Sequence, residues 1–140
     1  MTRAPRAWLL VVTLGLGACA SGAPPREPSL DISAVAHPYF ETVRKQIRSY
    51  WEYPCLKNAT TGRCEYRDAH VTLDIGILRT GALGYVDVVQ SSGYDVYDAG
   101  AVQAVRRAAP FPPVPDDVMT RVPAGSAAVA VRAQFNDVIK

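Results

Sequence analysis

The sequence predicts an α+β domain in the order α-β-β-α-β, with a three-stranded antiparallel sheet packed against two helices. Three observations lead to this prediction. Between residues 71 and 90, apolar and polar side chains alternate with a period of two around a short turn that contains glycine. Apolar residues instead recur at helical spacing between residues 40 and 51 and again between residues 101 and 108. A last alternating run, residues 127–135, supplies the third strand.

The first eighteen residues have the order of an export signal, with a basic front, an apolar run of roughly ten residues and then small residues. That run is shorter than the ~20 residues that a membrane-spanning helix needs. The tetrapeptide Leu16-Gly17-Ala18-Cys19 resembles the bacterial lipoprotein lipobox, which implies that Cys19 is acylated and becomes the new N-terminus. The alternative is an ordinary signal peptide that happens to contain a cysteine.

Residues 19–37 are expected to form a flexible, lipid-anchored tether, with the globular domain over residues 38–140. The segment as far as about Asp31 is rich in Ala, Ser, Gly and Pro and has no periodicity. Ala20, rather than an aspartate, follows Cys19. By the sorting rule of the best-known lipoprotein systems, this favours the periplasmic leaflet of the outer membrane.

The first predicted helix follows His37-Pro38 and ends before Pro54, since the residue ahead of a proline is pushed out of the helical region. Its apolar stripe consists of Phe40, Val43, Ile47, Tyr50 and Trp51. Beyond it, Cys55 and Cys64 are the cysteines that remain after lipidation of an exported chain. We expect them to form a disulfide. The alternative is a metal site, for which His70 alone does not supply the further ligands.

The hairpin is expected to turn at Arg79-Thr80-Gly81-Ala82 and to end at Ser91-Ser92-Gly93. The second helix has aspartates at its front and arginines at its back, which complements the helix dipole. Four prolines between residues 110 and 115 then stop it.

This order of elements resembles the C-terminal domain of the TonB family, with the related TolA C-terminal fold close in shape. The residues that carry the resemblance, over roughly residues 38–135, are Tyr53-Pro54, Gly81, Val86, Val88, Ser91, Ser92, Gly93, Asp98, Ala101, Ala104, Val105, Pro110, Phe111, Pro112, Pro113 and Pro115. The resemblance implies a non-catalytic interaction module. A TonB energy transducer has an uncleaved membrane helix and a long proline-rich spacer. A lipoprotein signal and a short tether instead argue against direct energy transduction by this chain.

The resemblance also implies that the last strand is a sheet edge that binds an extended peptide by strand addition. The expected contact residues are Ala128, Val129, Ala130, Val131, Arg132, Ala133, Gln134 and Phe135, with Arg132 as the exposed handle. The expected partners are envelope proteins, among them TonB-dependent receptor-like proteins in a transport system. The alternative is a structural lipoprotein that self-associates through the same edge.

Other classes of function find little support in the sequence. Once Arg3 and Arg6 are removed with the signal, 13 basic residues balance the 13 acidic ones, so no electrostatic footprint for nucleic acid remains. His37 and His70 match no catalytic motif, and the sequence predicts neither a cofactor nor a metal. Asp74 and Asp87 could face one another across the hairpin, where we expect them to be solvated.

Overall fold

The computed structural model describes residues 29–31 and 35–136. Its elements, in chain order, are β1 (Leu30–Asp31), α1 (Pro38–Tyr50), β2 (Leu56–Lys57), β3 (Cys64–Glu65), β4 (Val71–Leu78), β5 (Leu83–Gln90), α2 (Asp95–Ala108), α3 (Asp116–Met119) and β6 (Ala128–Phe135). The predicted α-β-β-α-β order is confirmed by α1, β4, β5, α2 and β6. The predicted signal peptide and Cys19 lie outside the described residues. Within the described residues, no helix has the length and apolar character needed to cross a bilayer.

The main sheet has four strands in the order β1-β6-β4-β5, with β4 antiparallel to both β5 and β6. The fourth strand, β1, is parallel to β6 and pairs with it over two residues. The prediction of three strands was therefore wrong by one, and a separate β2–β3 ribbon and the short helix α3 were also missed. Strands of two residues carry no periodicity, so only their pairing with another strand reveals them.

Both long helices pack on one face of the sheet, because each carries one apolar stripe and the sheet presents alternate side chains to it. The fully buried side chains of this core include Phe40, Val43, Leu73, Ile75, Ile77, Tyr97, Ala101, Val105, Val129 and Val131. The predicted stripe of α1 fails at its end: Tyr50 is 46% exposed. Trp51 leaves the helix as its C-cap and packs against Phe135, with ring centroids 5.1 Å apart.

His37 fixes the start of α1 as an N-cap. Its Nδ1 accepts a hydrogen bond of 3.1 Å from the amide of Tyr39, and Pro38 occupies the first turn, where no intrahelical donor is needed. Further along α1, the side-chain amide of Gln46 donates to the carbonyl oxygens of Ala108 and Pro110. These bonds satisfy acceptors that the end of α2 leaves open and tie the two helices together.

The proline segment after α2 docks onto the turn of the β4–β5 hairpin. The amide of Phe111 donates to the carbonyl oxygen of Gly81 (2.9 Å), and the amide of Val114 donates to that of Arg79 (3.0 Å). Gly81 has φ +89°, and a Cβ there would lie 2.0 Å from the carbonyl oxygen of Phe111. Both the left-handed backbone and the close approach therefore require glycine at this turn.

The inserted segment between α1 and β4 is the β2–β3 ribbon, closed by the predicted disulfide between Cys55 and Cys64. Asn58 holds its tip, because its side-chain oxygen accepts hydrogen bonds of 2.9 Å from the amides of Thr60 and Thr61. The disulfide prediction is confirmed, and the alternative of a metal site is not supported at these two sulfur atoms.

Candidate interaction surface at the last strand

Strand β6 presents alternate side chains to the core and to the opposite face of the sheet. Val129, Val131 and Phe135 point into the core, while Arg132 and Gln134 are exposed on the other face. All eight residues predicted as a contact surface, Ala128 to Phe135, lie in this strand and pair with β4 from Val71 to Leu78. Five of the eight are buried, so what the strand offers a partner is mainly its backbone edge.

The outer edge of β6 already carries a strand of the same chain. Leu30 lies opposite Val131 and Asp31 lies opposite Arg132, in parallel register. Leu30 is partly buried and packs against the core cluster. The centre of this side of β6 is therefore occupied by a segment that the sequence analysis had assigned to the tether.

Arg132 is anchored across the sheet rather than held out as a free handle. Its Nε donates to Oδ1 of Asp74 (2.8 Å) and a terminal nitrogen donates to Oδ2 (2.9 Å), a bidentate pair. The Asp74 side chain is only 6% exposed and that of Arg132 is 44% exposed. The hydrogen bonds and the charge of Asp74 raise the pKa of Arg132. The prediction that Arg132 is exposed is confirmed, and the structure adds that its guanidinium compensates a buried carboxylate.

Four charged residues lie in one row across the sheet, one on each strand. Asp87 of β5 is opposite Asp74, Asp74 is opposite Arg132, and Arg132 is opposite Asp31. The prediction that Asp74 and Asp87 face each other is confirmed, but the expectation that both are solvated was wrong, because Asp74 is buried. Asp74 lies on β4, a central strand with β5 on one side and β6 on the other, and Arg132 of β6 lies against its carboxylate. Within this row, Arg132 therefore lies between the carboxylates of Asp74 and Asp31, and Asp87 lies beyond Asp74.

The sequence analysis missed a second sheet edge. Among the described residues, β5 pairs only with β4, and its side chains Tyr85, Val88 and Val89 are 36–39% exposed. The ring of Tyr85 lies over Gly76, where a Cβ would come within 2.2 Å of it. The alternating pattern gave no hint of this edge, since alternation reports which face is buried and not which strand is outermost.

The link from β5 to α2, at the Ser91-Ser92-Gly93 segment where the hairpin was predicted to end, is a structural turn. The amide and the hydroxyl of Ser92 donate to Oδ1 of Asp98, at 2.9 and 2.7 Å. Burial works against the charge of Asp98, but hydrogen bonds from the hydroxyls of Ser91 and Ser92 outweigh it and lower the pKa of this carboxyl. The aspartate thereby fixes the start of α2, where its charge also complements the helix dipole.

The histidines are not arranged for catalysis. Besides capping α1 through Nδ1, His37 contacts Oδ2 of Asp117 through Nε2 at 2.8 Å. Both ring nitrogens are thus engaged, and this contact lowers the pKa of Asp117. His70 is exposed at the start of β4. Over residues 29–31 and 35–136, no group of three or more His, Cys, Asp and Glu residues could hold a metal ion.

A groove with a volume of about 360 Å³ lies between the end of α1, the Tyr53-Pro54 segment and α2. Its lining includes Tyr50, Pro54, Val96 and Arg107. The polar side chains there, Glu52, Gln103 and Arg107 among them, form none of the nucleophile–base pairs that covalent catalysis needs. The groove is thus lined by polar and apolar side chains in similar measure.

Fold and surface together define a small α+β domain whose last strand pairs with β4 along its length and with β1 over two residues. The sequence profile of the TonB C-terminal family matches residues 36–124. The chain therefore belongs to the TonB C-terminal family, a family of protein-interaction modules. The match ends before β6, so the case for the last strand rests on the geometry described above.

Two solved structures are similar to this chain. The C-terminal domain of Helicobacter pylori TonB (residues 179–285, determined by NMR in solution) has a TM-score of 0.54 at 20% identity, over 76% of this chain and 86% of that one. The third domain of TolA, solved with a peptide from the N-terminus of TolB, has a TM-score of 0.48 at 20% identity, over 75% and 78%. No curated protein sequence matches significantly.

Proposed function

We propose that this protein is a non-catalytic module on the periplasmic face of the cell envelope that binds an extended segment of a partner protein by strand addition at β6. The observation that supports it most directly is the β1–β6 pairing, because an extended chain already lies along that edge in parallel register. Main-chain hydrogen bonds would supply affinity, and side chains on the two faces of the added strand would supply selectivity.

The partner is proposed to be an envelope protein, of the TonB-dependent receptor type in a transmembrane transport system. Family membership supports this choice. The TolA domain solved with a TolB peptide is an example, in a protein of similar fold, of a complex with a short segment of another protein. The alternative remains self-association through the same β6 edge, which would make the protein a structural component of the envelope.

A lipid on Cys19, held in the outer membrane, is part of the same proposal. Its support is the lipobox-like tetrapeptide and the residue that follows it. Two or three acyl chains would give a durable anchor, since each buried methylene contributes ~0.8 kcal/mol. A Cys19→Ser variant should no longer incorporate labelled palmitate and should leave the membrane fraction. Labelling that persists in the variant would refute acylation at this residue.

The edge is best tested by photo-crosslinking from individual positions in cells. A benzophenone amino acid at Gln134, which is exposed on β6, should capture a partner, whereas one at Lys45, exposed on α1, should not. Mass spectrometry then identifies the captured chain. Capture of a second copy of this protein would favour self-association, and capture from Lys45 alone would place the partner on the helices and refute the edge.

A further inference from the structure

We propose that Leu30–Asp31 is an intramolecular occupant of the β6 edge that a partner strand must displace before it binds. This inference rests on the proposed function, since it concerns the same edge. It adds that the domain is self-blocked: Leu30 and Asp31, which precede α1, regulate access to the site.

The position of β1 makes it an effective block. Leu30 and Asp31 pair with Val131 and Arg132, the fourth and fifth of the eight residues of β6. The pairing leaves three residues of β6 on either side, 128–130 and 133–135. Typical strands have about five to six residues. A partner of ordinary strand length therefore cannot pair along β6 while β1 is in place.

Side chains hold β1 in register as well as backbone. Leu30 packs against the core cluster, next to the buried Val131. Asp31 lies opposite Arg132 on the other face and places a carboxylate beside the guanidinium that bridges to Asp74. The pair of residues thus matches both faces of the sheet at this point, with an apolar group toward the core and an acidic group toward the cation.

The short length of β1 makes it displaceable. A two-residue strand has few backbone hydrogen bonds, so its pairing with β6 is weak. It remains docked because it belongs to the same chain, and a tethered segment acts at an effective concentration in the millimolar range. A partner's apparent affinity equals its intrinsic affinity multiplied by the fraction of molecules whose edge is open. If β1 is docked in about nine molecules of ten, its removal should raise that affinity on the order of tenfold.

The test compares the full chain, purified in detergent, with a Leu30→Gly/Asp31→Arg variant. The glycine removes the apolar contact, and the arginine brings like charge to Arg132. Asp68→Arg, in an exposed loop, is the charge-matched control. The probe is a fluorescent peptide with the sequence of residues 27–34, EPSLDISA, supplied separately. Hydrogen exchange at the amides of β6 is measured in the same samples, and circular dichroism confirms that each variant is folded.

The expected result is faster exchange at β6 in the double variant, and about tenfold tighter binding of the peptide than by wild type or Asp68→Arg. Equal exchange in wild type and double variant would overturn the self-block, as would equal peptide affinity with measurable binding to both. Faster exchange without binding of the peptide to either protein would uphold occupancy by β1 and count against strand addition. Failure of the self-block and failure of strand addition at β6 therefore give different experimental results.

Discussion

Removing the guanidinium of Arg132 while keeping most of its aliphatic length, in an Arg132→Met variant, should lower the free energy of unfolding by about 2–3 kcal/mol at pH 7. Breaking a buried ion pair from one side typically costs about 3–5 kcal/mol, because the remaining charge is left buried without compensation. Asp74 meets that condition with a side chain only 6% exposed, but Arg132 is 44% exposed. Solvent screening at the exposed partner reduces the expected loss.

Urea denaturation at pH 7 measures this loss directly, and for a domain of this size it corresponds to a fall in Tm of roughly 10–20 °C. An Asp74→Asn/Arg132→Met double variant should recover most of the stability, since the buried position is then neutral. Arg121→Met, at an exposed position, is the matched control and should stay within about 0.5 kcal/mol of wild type. A loss below about 1 kcal/mol in Arg132→Met, or a coupling energy below about 0.5 kcal/mol in the double-mutant cycle, would refute the reasoning.

Three further predictions concern stability. Gly81→Ala should lower the free energy of unfolding by more than about 2 kcal/mol, because its Cβ would meet a carbonyl oxygen at 2.0 Å. Gly62→Ala has open space around it and should lose only the ~1–2 kcal/mol that a left-handed backbone costs an alanine. Equal urea midpoints for the two variants would contradict this. Replacing Cys55 and Cys64 by serine should cost about 2–3 kcal/mol by loop entropy, and thiol titration of the folded wild-type domain should detect neither sulfur. Since the pKa of Asp98 is lowered from its ordinary 3.8, its charge stabilises the fold above that value, and the stabilisation is lost as the pH falls through the folded-state pKa. The stability difference between wild type and Asp98→Asn should therefore shrink in acid, and a difference independent of pH would contradict the assignment.

Self-blocking by β1 would give the tether a second role besides attachment. A segment that must leave the sheet for a partner to bind also lengthens the chain between Pro38 and residues nearer the N-terminus when it is released. Partner binding and the distance that the domain can reach from the membrane would then be coupled, because both require the Leu30–Val131 and Asp31–Arg132 pairs to open. The exchange experiment on β6 is the first step in testing this coupling.

The main elements were predictable because they leave local periodic signals. The strands of the hairpin follow from the alternation that begins at Val71, and the turn follows from Gly81, which the structure finds in the left-handed region. The disulfide followed from two cysteines in a chain that the sequence predicts to be exported. Each inference needed only neighbouring residues and the chemistry of the compartment.

The candidate site was predicted only in part. The residues Ala128 to Phe135 do form one strand, but their alternation could not say that β1 pairs with it. Nor could it say that Arg132 reaches a carboxylate 58 positions away in the sequence. A two-residue strand and a cross-strand ion pair have no local period, so no window of sequence contains them.

The sequence by itself thus determined the order of helices and strands, the side of each that is apolar, and the family to which the domain belongs, because backbone period and turn chemistry are properties of short segments. Only the tertiary structure decided that Asp74 is buried, that Arg132 compensates it, and that the edge of β6 already holds Leu30 and Asp31. Those facts depend on which strands become neighbours. That choice is made by packing over the whole chain rather than by any segment of it.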